Sequence, residues 1–273
     1  MSTKNGRVLV VAGSDSSGGA GIQADIKTIT ALGGYAATAV TALTAQNTTG
    51  VKSIQAVEPA FIAHQMKVVL EDIGADVLKT GMLHSAPVID AVAGVYRTMS
   101  ASMIYVLDPV MVAKGGHRLL DSNALEALKQ RLLPLADLVT PNIPEAEALT
   151  GIKIKRREHM EIAANKILSL GPGSVLLKGG HLKGNRLYDL LVTSLGSEWF
   201  ETNRIDTRHT HGTGCTLASA VATSLAKGLV LDHAIVKGRE YVLEAIRNAP
   251  GFGSGHGPLC HTHTISLNPS KHD

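Results

Sequence analysis

Aromatic side chains are scarce in this chain: one Trp, five Tyr and three Phe among 273 residues. Aliphatic packing must therefore fill the core. Cysteine is nearly missing too. Cys215 and Cys260 stand far apart and build no disulfide framework, so a reducing, cytoplasmic setting is expected. Charge imbalance is small as well: 26 Lys and Arg face 23 Asp and Glu, a net of only +3, with no long basic block. That argues against a nucleic-acid coat but leaves room for a local basic patch around small phosphates. No apolar run approaches membrane-spanning length. The start passes from Met1-Ser2-Thr3-Lys4 into Val8-Leu9-Val10-Val11-Ala12, too short for a secretory signal core. There is no Gly-Lys-Ser/Thr Walker loop and no G-x-G-x-x-G.

What remains is 44% apolar and rich in Ala, Val, Leu and Gly. That composition suits helices covering a parallel sheet. Strand-like runs at 8–12, 36–43, 53–57, 76–79, 103–107, 138–139 and 174–177 alternate with helical stretches. The helices are expected at 21–32, 59–73, 122–132, 158–169, 216–227 and 233–248, with one more starting at 145. A hairpin is expected over 186–202. The order implies an α/β fold, a mostly parallel sheet with helices on both faces. Ligands of such sheets bind beyond the carboxyl ends of the strands, and the polar, glycine-containing segments fall there.

The run His211-Gly212-Thr213-Gly214-Cys215 opens a helix of small and apolar residues. Glycines there crowd unpaired N–H groups at the positive end of a helix dipole, an anion hole. A thiol at that position is expected to ionise more readily than a free cysteine. Gly13 to Asp25 is a small-residue turn that lets a ligand approach backbone. Asp25, a turn into the next helix, either faces that ligand or is solvated. Thr44 and Gln46 end the second strand, and an amide can read a heterocycle edge. Met82 either lies against a ring or packs. Asp108, at a strand end, suits a metal or a leaving phosphate. The stretch Lys114-Gly115-Gly116-His117-Arg118 reads as a lid over phosphate. Asn142 and Glu145 are spaced as a helix cap and its reciprocal acid, which explains their spacing fully; holding Mg²⁺ is the second reading. Lys178 ends a strand and could meet phosphates. The tail His256-Gly257-Pro258-Leu259-Cys260-His261-Thr262-His263 does not match structural zinc spacing.

Taken together and in this order, these segments resemble the hydroxymethylpyrimidine/phosphomethylpyrimidine kinases of the ribokinase-like superfamily, which serve thiamine synthesis. The resemblance covers essentially the whole chain. It implies one ribokinase-like domain over 1–273, a three-layer sandwich, a homodimer, and ATP with Mg²⁺. It also implies two successive transfers, first to a hydroxymethyl group and then to the resulting monophosphate. By position it places Gly13, Asp25, Thr44, Gln46, Met82 and Val110 at the aminopyrimidine. Lys178, Lys114 and Asn142 fall at the nucleotide, and Glu145, Asn142 and Asp108 at Mg²⁺. Gly212, Thr213, Gly214 and Cys215 fall at the reacting phosphoryl. Beyond the resemblance, the chemistry of the first transfer, whose nucleophile is an alcohol, suggests the Cys215 thiolate as its base; the second nucleophile is already anionic and needs none. Pyridoxal kinase of the same branch is the alternative. Gln46 and Met82 favour the pyrimidine, and the lid lacks the extra cysteine of an aldehyde trap.

Overall fold

The computed structural model describes residues 5–99, 102–112, 116, 119–121 and 123–265. Nine strands form one sheet in the order β3-β2-β1-β4-β5-β6-β7-β8-β9. They are β1 Arg7–Asp15, β2 Tyr35–Asn47, β3 Gly50–Ala56, β4 Val77–Thr80, β5 Ile104–Leu107, β6 Leu138–Val139, β7 Ser174–Lys178, β8 Arg186–Thr193 and β9 Gly196–Asn203. From β2 through β1, β4, β5 and β6 to β7 the pairing is parallel. An antiparallel strand closes one edge and a hairpin the other.

The strand alternation explains how one sheet carries two cores. In β1, Leu9 and Val11 point into one buried cluster, while Val8, Val10 and Ala12 point into another. Tyr105 and Leu107 against Val106, and Val175 and Leu177 against Leu176, divide the same way. The helices α1 Gly21–Ala31, α7 Thr213–Ala226 and α8 Leu231–Arg247 cover one face, where Ile29, Val221 and Ile235 are buried. The helices α2 Pro59–Asp72, α3 Ala86–Met99, α5 Ile143–Thr150 and α6 Arg157–Leu168 cover the other.

The largest departures from the sequence reading are four. The helix α3 was not expected at all; its core residues Val88, Ile89, Val92, Ala93, Val95 and Tyr96 repeat with helical period, but β-branched residues dominate them. The single helix expected over 122–132 is instead a short turn α4, Ala124–Ala127, then a π-helical turn Leu128–Leu132 and a 3-10 turn Leu133–Leu135. Pro134 has no N–H to continue an α-helical ladder. Strand β2 runs past Leu43 to Asn47, where it turns back into β3. Helix α7 begins at Thr213, so Gly214 and Cys215 lie in its first turn.

The tail is held by His261, buried between α1 and α8. Its Nδ1 lies 3.1 Å from the Tyr241 hydroxyl and 3.4 Å from Thr28 Oγ1, while Nε2 is buried without a partner. Burial, helped by Lys27 and His263, pushes the ring down to about 4. The unfolded chain binds that proton below about 6.5 and the folded one does not. Stability therefore falls as pH drops from about 6.5 to 4. The share from His261 is on the order of 2 kcal/mol, allowing for partial screening by solvent. Urea titrations at several pH values should show a wild-type decline that is shallower by this amount in His261→Gln. Parallel curves would contradict the assignment.

Candidate active site

Every parallel strand delivers residues to one cavity of about 700 Å³ at its carboxyl end. Gly13 and Ser14 come from β1, Thr44 and Gln46 from β2, Met82 from the segment after β4, and Asp108 and Val110 from that after β5. Asn142 follows β6, and Lys178 ends β7. Gly212, Thr213, Gly214 and Cys215 line it as well. The lid residues Lys114, Gly115, His117 and Arg118 lie outside the described residues; Gly116 is described and lines the cavity.

Gly212 caps α7 in the left-handed conformation, φ 85°. The first intrahelical bond there is Thr216 N–H to Gly212 O, 2.9 Å. The Gly214 and Cys215 amides therefore have no acceptor within the helix and can serve an anion. In front of them stands an ion pair. Lys178 Nζ donates to Asp108 Oδ1 at 3.0 Å, and Thr140 Oγ1 donates to the same oxygen at 3.1 Å. A Cβ on Gly214 would lie 3.3 Å from Lys178 Nζ and 3.9 Å from Asp108 Oδ2. The cation and the helix start thus converge on one spot. Burial opposes the charge on Lys178, but Asp108 and Glu145 outweigh it and hold its ammonium above the usual range.

Asn142 and Glu145 form the capping box that their spacing predicts. Asn142 Oδ1 accepts from Glu145 N–H at 2.9 Å, and Glu145 Oε2 from Asn142 N–H at 2.7 Å. Burial pushes the Glu145 carboxyl up to about 7; Lys178 opposes this and Asp108 adds to it. Asp108 and Glu145 are two buried carboxylates sharing Lys178 as their basic partner. With Glu145 ionised the group carries one surplus negative charge, which fits a cation. Among the described residues no three His, Cys, Asp or Glu side chains are grouped to hold a metal by themselves. The donor set suits Mg²⁺ ligated mainly by phosphate and water.

Two sequence expectations are corrected. Cys215 does not ionise readily. Burial pushes its thiol up to about 12, and the neighbouring Asp25 and Asp108 charges add to it; Lys79 and the Gly21 amide only partly offset this. Desolvation outweighs the neighbours that favour a thiolate. Asp25 does not reach the cavity. It is 0% exposed, with Oδ1 accepting from Lys79 Nζ at 2.9 Å and from Ser219 Oγ at 2.7 Å. Together these three residues pin α1, β4 and α7 beneath the cavity floor. Lys79→Met would strand a buried carboxylate and should cost about 3–5 kcal/mol by urea unfolding. Adding Asp25→Asn should recover much of that loss. A single variant as stable as the wild type would refute the pairing.

One element sequence reasoning missed is the pair Asp15–His211, both lining the cavity. His211 Nε2 donates to Asp15 Oδ2 at 2.8 Å. Burial pushes the Asp15 carboxyl up, but hydrogen bonds from His211 and Ser17 outweigh it and hold it below the ordinary range. Both residues stand in runs singled out for their glycines, and nothing local in the sequence links positions 196 apart.

Residues 15–260 match the family Phosphomethylpyrimidine kinase. The chain is 54% identical over 256 residues to the thiamine biosynthesis bifunctional protein ThiED of Geobacter sulfurreducens, covering 94% of this chain but only 52% of that protein. It is 46% identical to the hydroxymethylpyrimidine/phosphomethylpyrimidine kinase of Streptomyces coelicolor, covering 93% of each. An ADP complex of Bacillus subtilis pyridoxal kinase superposes with a TM-score of 0.87 at 36% identity, covering 94% of this chain and 97% of that one.

Proposed function

Because the chain belongs to the phosphomethylpyrimidine kinase family, we propose that it phosphorylates 4-amino-5-hydroxymethyl-2-methylpyrimidine with ATP, first to the monophosphate and then to the diphosphate. The observation that carries this reading is the convergence of Lys178, Asp108 and the α7 amides in one cavity with Gly13, Thr44, Gln46, Met82 and Val110. The first group suits a transferring phosphoryl, the second a flat polar ring. In the first transfer the hydroxymethyl oxygen bonds the γ-phosphorus, the bond to the β-phosphate oxygen breaks, ADP leaves, and one proton is released. In the second transfer a phosphate oxygen of the monophosphate attacks in the same way.

Mg²⁺, when bound with ATP near Asp108, Asn142 and Glu145, would supply charge neutralisation at the phosphates. Lys178 and the Gly214 and Cys215 amides stabilise charge on the transferring group, which passes through a loose transition state. Gln46 has its Oε1 beside the Thr44 hydroxyl at 3.2 Å, so its Nε2 is the group turned to the ring. Cys215 carries its proton at neutral pH and serves as a hydrogen-bonding neighbour. The alcohol proton leaves late, after bond formation to phosphorus. Cys215→Ala should therefore slow both transfers alike, by about tenfold, the effect of one lost hydrogen bond. Single-turnover rates for alcohol and monophosphate measure this; a loss confined to the first transfer would restore the thiolate base.

A homodimer and a cytoplasmic setting belong to the same proposal. Phe61 and Val68, seven residues apart on α2, leave an exposed apolar face that a second copy could cover. Both cysteines are free thiols, which suits a reducing compartment. Among the described residues no helix is long and apolar enough to cross a membrane.

The likeness to a pyridoxal kinase keeps pyridoxal as the second substrate to compare. Cys260 does not line the cavity, so Cys215 is the one thiol there among the described residues. Nothing in that lining adds a second thiol to trap an aldehyde. Steady-state kcat/KM for the two alcohols with Mg-ATP tests the choice. At least a tenfold preference for the pyrimidine is expected, the worth of about one well-placed hydrogen bond. A preference for pyridoxal would overturn the substrate assignment.

A further inference from the structure

Four segments far apart in sequence close a ring around one end of the cavity. The loop 15–20 joins the β2–β3 hairpin through Ser16, whose hydroxyl donates to Gln46 O at 2.9 Å and accepts from Gln46 N–H at 2.8 Å. The hairpin turn joins a strap formed by residues 251–258. There His256 N–H donates to Thr48 O at 2.9 Å, and Gly255 N–H to Thr48 Oγ1 at 3.3 Å. The strap joins His211, whose N–H donates to Gly257 O at 3.1 Å. His211 returns to the loop by donating to Asp15 Oδ2. Asp15 also accepts from Ser17 N–H, Ser17 Oγ and Ala20 N–H at 2.7–2.9 Å, so one carboxylate gathers the whole loop.

The ring is tightly built. A Cβ on Gly253 would meet the Thr48 side chain, on Gly255 the Thr48 carbonyl, and on Gly257 the His209 ring. Lys178, Asp108, Asn142 and Glu145 enter none of its links. His211 Nε2 gives its hydrogen to Asp15, because a carboxylate only accepts. The Gln46 amide nitrogen 3.3 Å away therefore gains no acceptor there and stays available to an incoming ring.

We infer that Asp15 and His211 are positioning residues for the substrate. Braced from behind by the 251–258 strap, they fix the loop and Gln46 in the geometry that receives the ring, and they take no part in the phosphoryl transfer itself. Preorganisation of this kind lowers the cost of ordering on binding. The inference rests on the pyrimidine reading above.

Calorimetric titration of hydroxymethylpyrimidine and, separately, of AMP-PCP tests it, using wild type, His211→Leu, His211→Gln and Gly255→Ala. Wild type must bind the pyrimidine; if it does not, the substrate assignment fails and not the ring. His211→Leu and Gly255→Ala should each weaken pyrimidine binding about tenfold or more, as for a broken charge-assisted hydrogen bond. AMP-PCP affinity should stay within about twofold, showing that the fold and the phosphate end are intact. His211→Gln, whose Nε2 can still donate to Asp15, should recover most of the loss. Unchanged pyrimidine affinity, or equal loss for both ligands, would overturn the inference. So would normal binding with lost turnover in both His211 variants, which would place His211 in the chemistry.

Discussion

Lys178→Met should lower kcat/KM for the pyrimidine by about 10³-fold, near the upper range for losing one preorganised charge at a developing anion. Lys178 is the cation paired to Asp108 directly before the α7 amides, and it also moderates Glu145. Its removal costs the transition state a donor. It also leaves two buried carboxylates facing an incoming polyphosphate, so ATP binding should weaken as well. The carboxyl of Glu145, already pushed up to about 7, should protonate more readily and relieve part of the strain on folding. Pyrimidine affinity should change little, because the residues proposed to receive the ring, Gly13, Thr44, Gln46, Met82 and Val110, include neither Lys178 nor its partners Asp108 and Glu145. Steady-state kinetics and separate ligand titrations measure each part. A variant with near-normal turnover would remove Lys178 from the phosphate site.

Gly212→Ala should cost about 10²-fold or more in kcat/KM, with both kcat and KM affected. Two separate effects act at this position. The left-handed conformation, φ 85°, strains any residue with a Cβ. The added methyl would also run into the Gly19 carbonyl, so either the substrate loop or the start of α7 must move. Gly228→Ala separates the two effects. Gly228 has nearly the same conformation, φ 89°, but nothing within 4 Å of an added Cβ. It should lose about 1 kcal/mol of stability and keep its kinetics. If both variants behaved alike, the close approach of Gly212 to Gly19 would have no functional weight.

The sequence was most readable where a residue's role is set by its neighbours along the chain. Strand ends, the Asn142–Glu145 cap and the glycine turn before α7 all follow from local spacing, and the structure places each at the cavity. Four things were not readable, each for a physical reason. Asp25 belongs to the buried face of α1 with Ile22, Thr28 and Ile29, and its partner Lys79 lies inside the wholly buried strand β4. Each charge alone suggests solvent; only the fold shows that they neutralise one another. The acidity of Cys215 differs from expectation because its burial and the nearby Asp25 and Asp108 charges come from segments far away along the chain. The ring from Asp15 to His211 joins segments whose only local signal is glycine content. The core positions of α3 were visible as a helical repeat, masked by their β-branched side chains.

The central claim is that one cavity performs both transfers. Phosphorus NMR of purified protein with Mg-ATP and hydroxymethylpyrimidine tests it most directly. A monophosphate resonance should rise first and then give way to a diphosphate, and Lys178→Met should suppress both. A monophosphate that never converts, or phosphorylation of pyridoxal alone, would contradict the account.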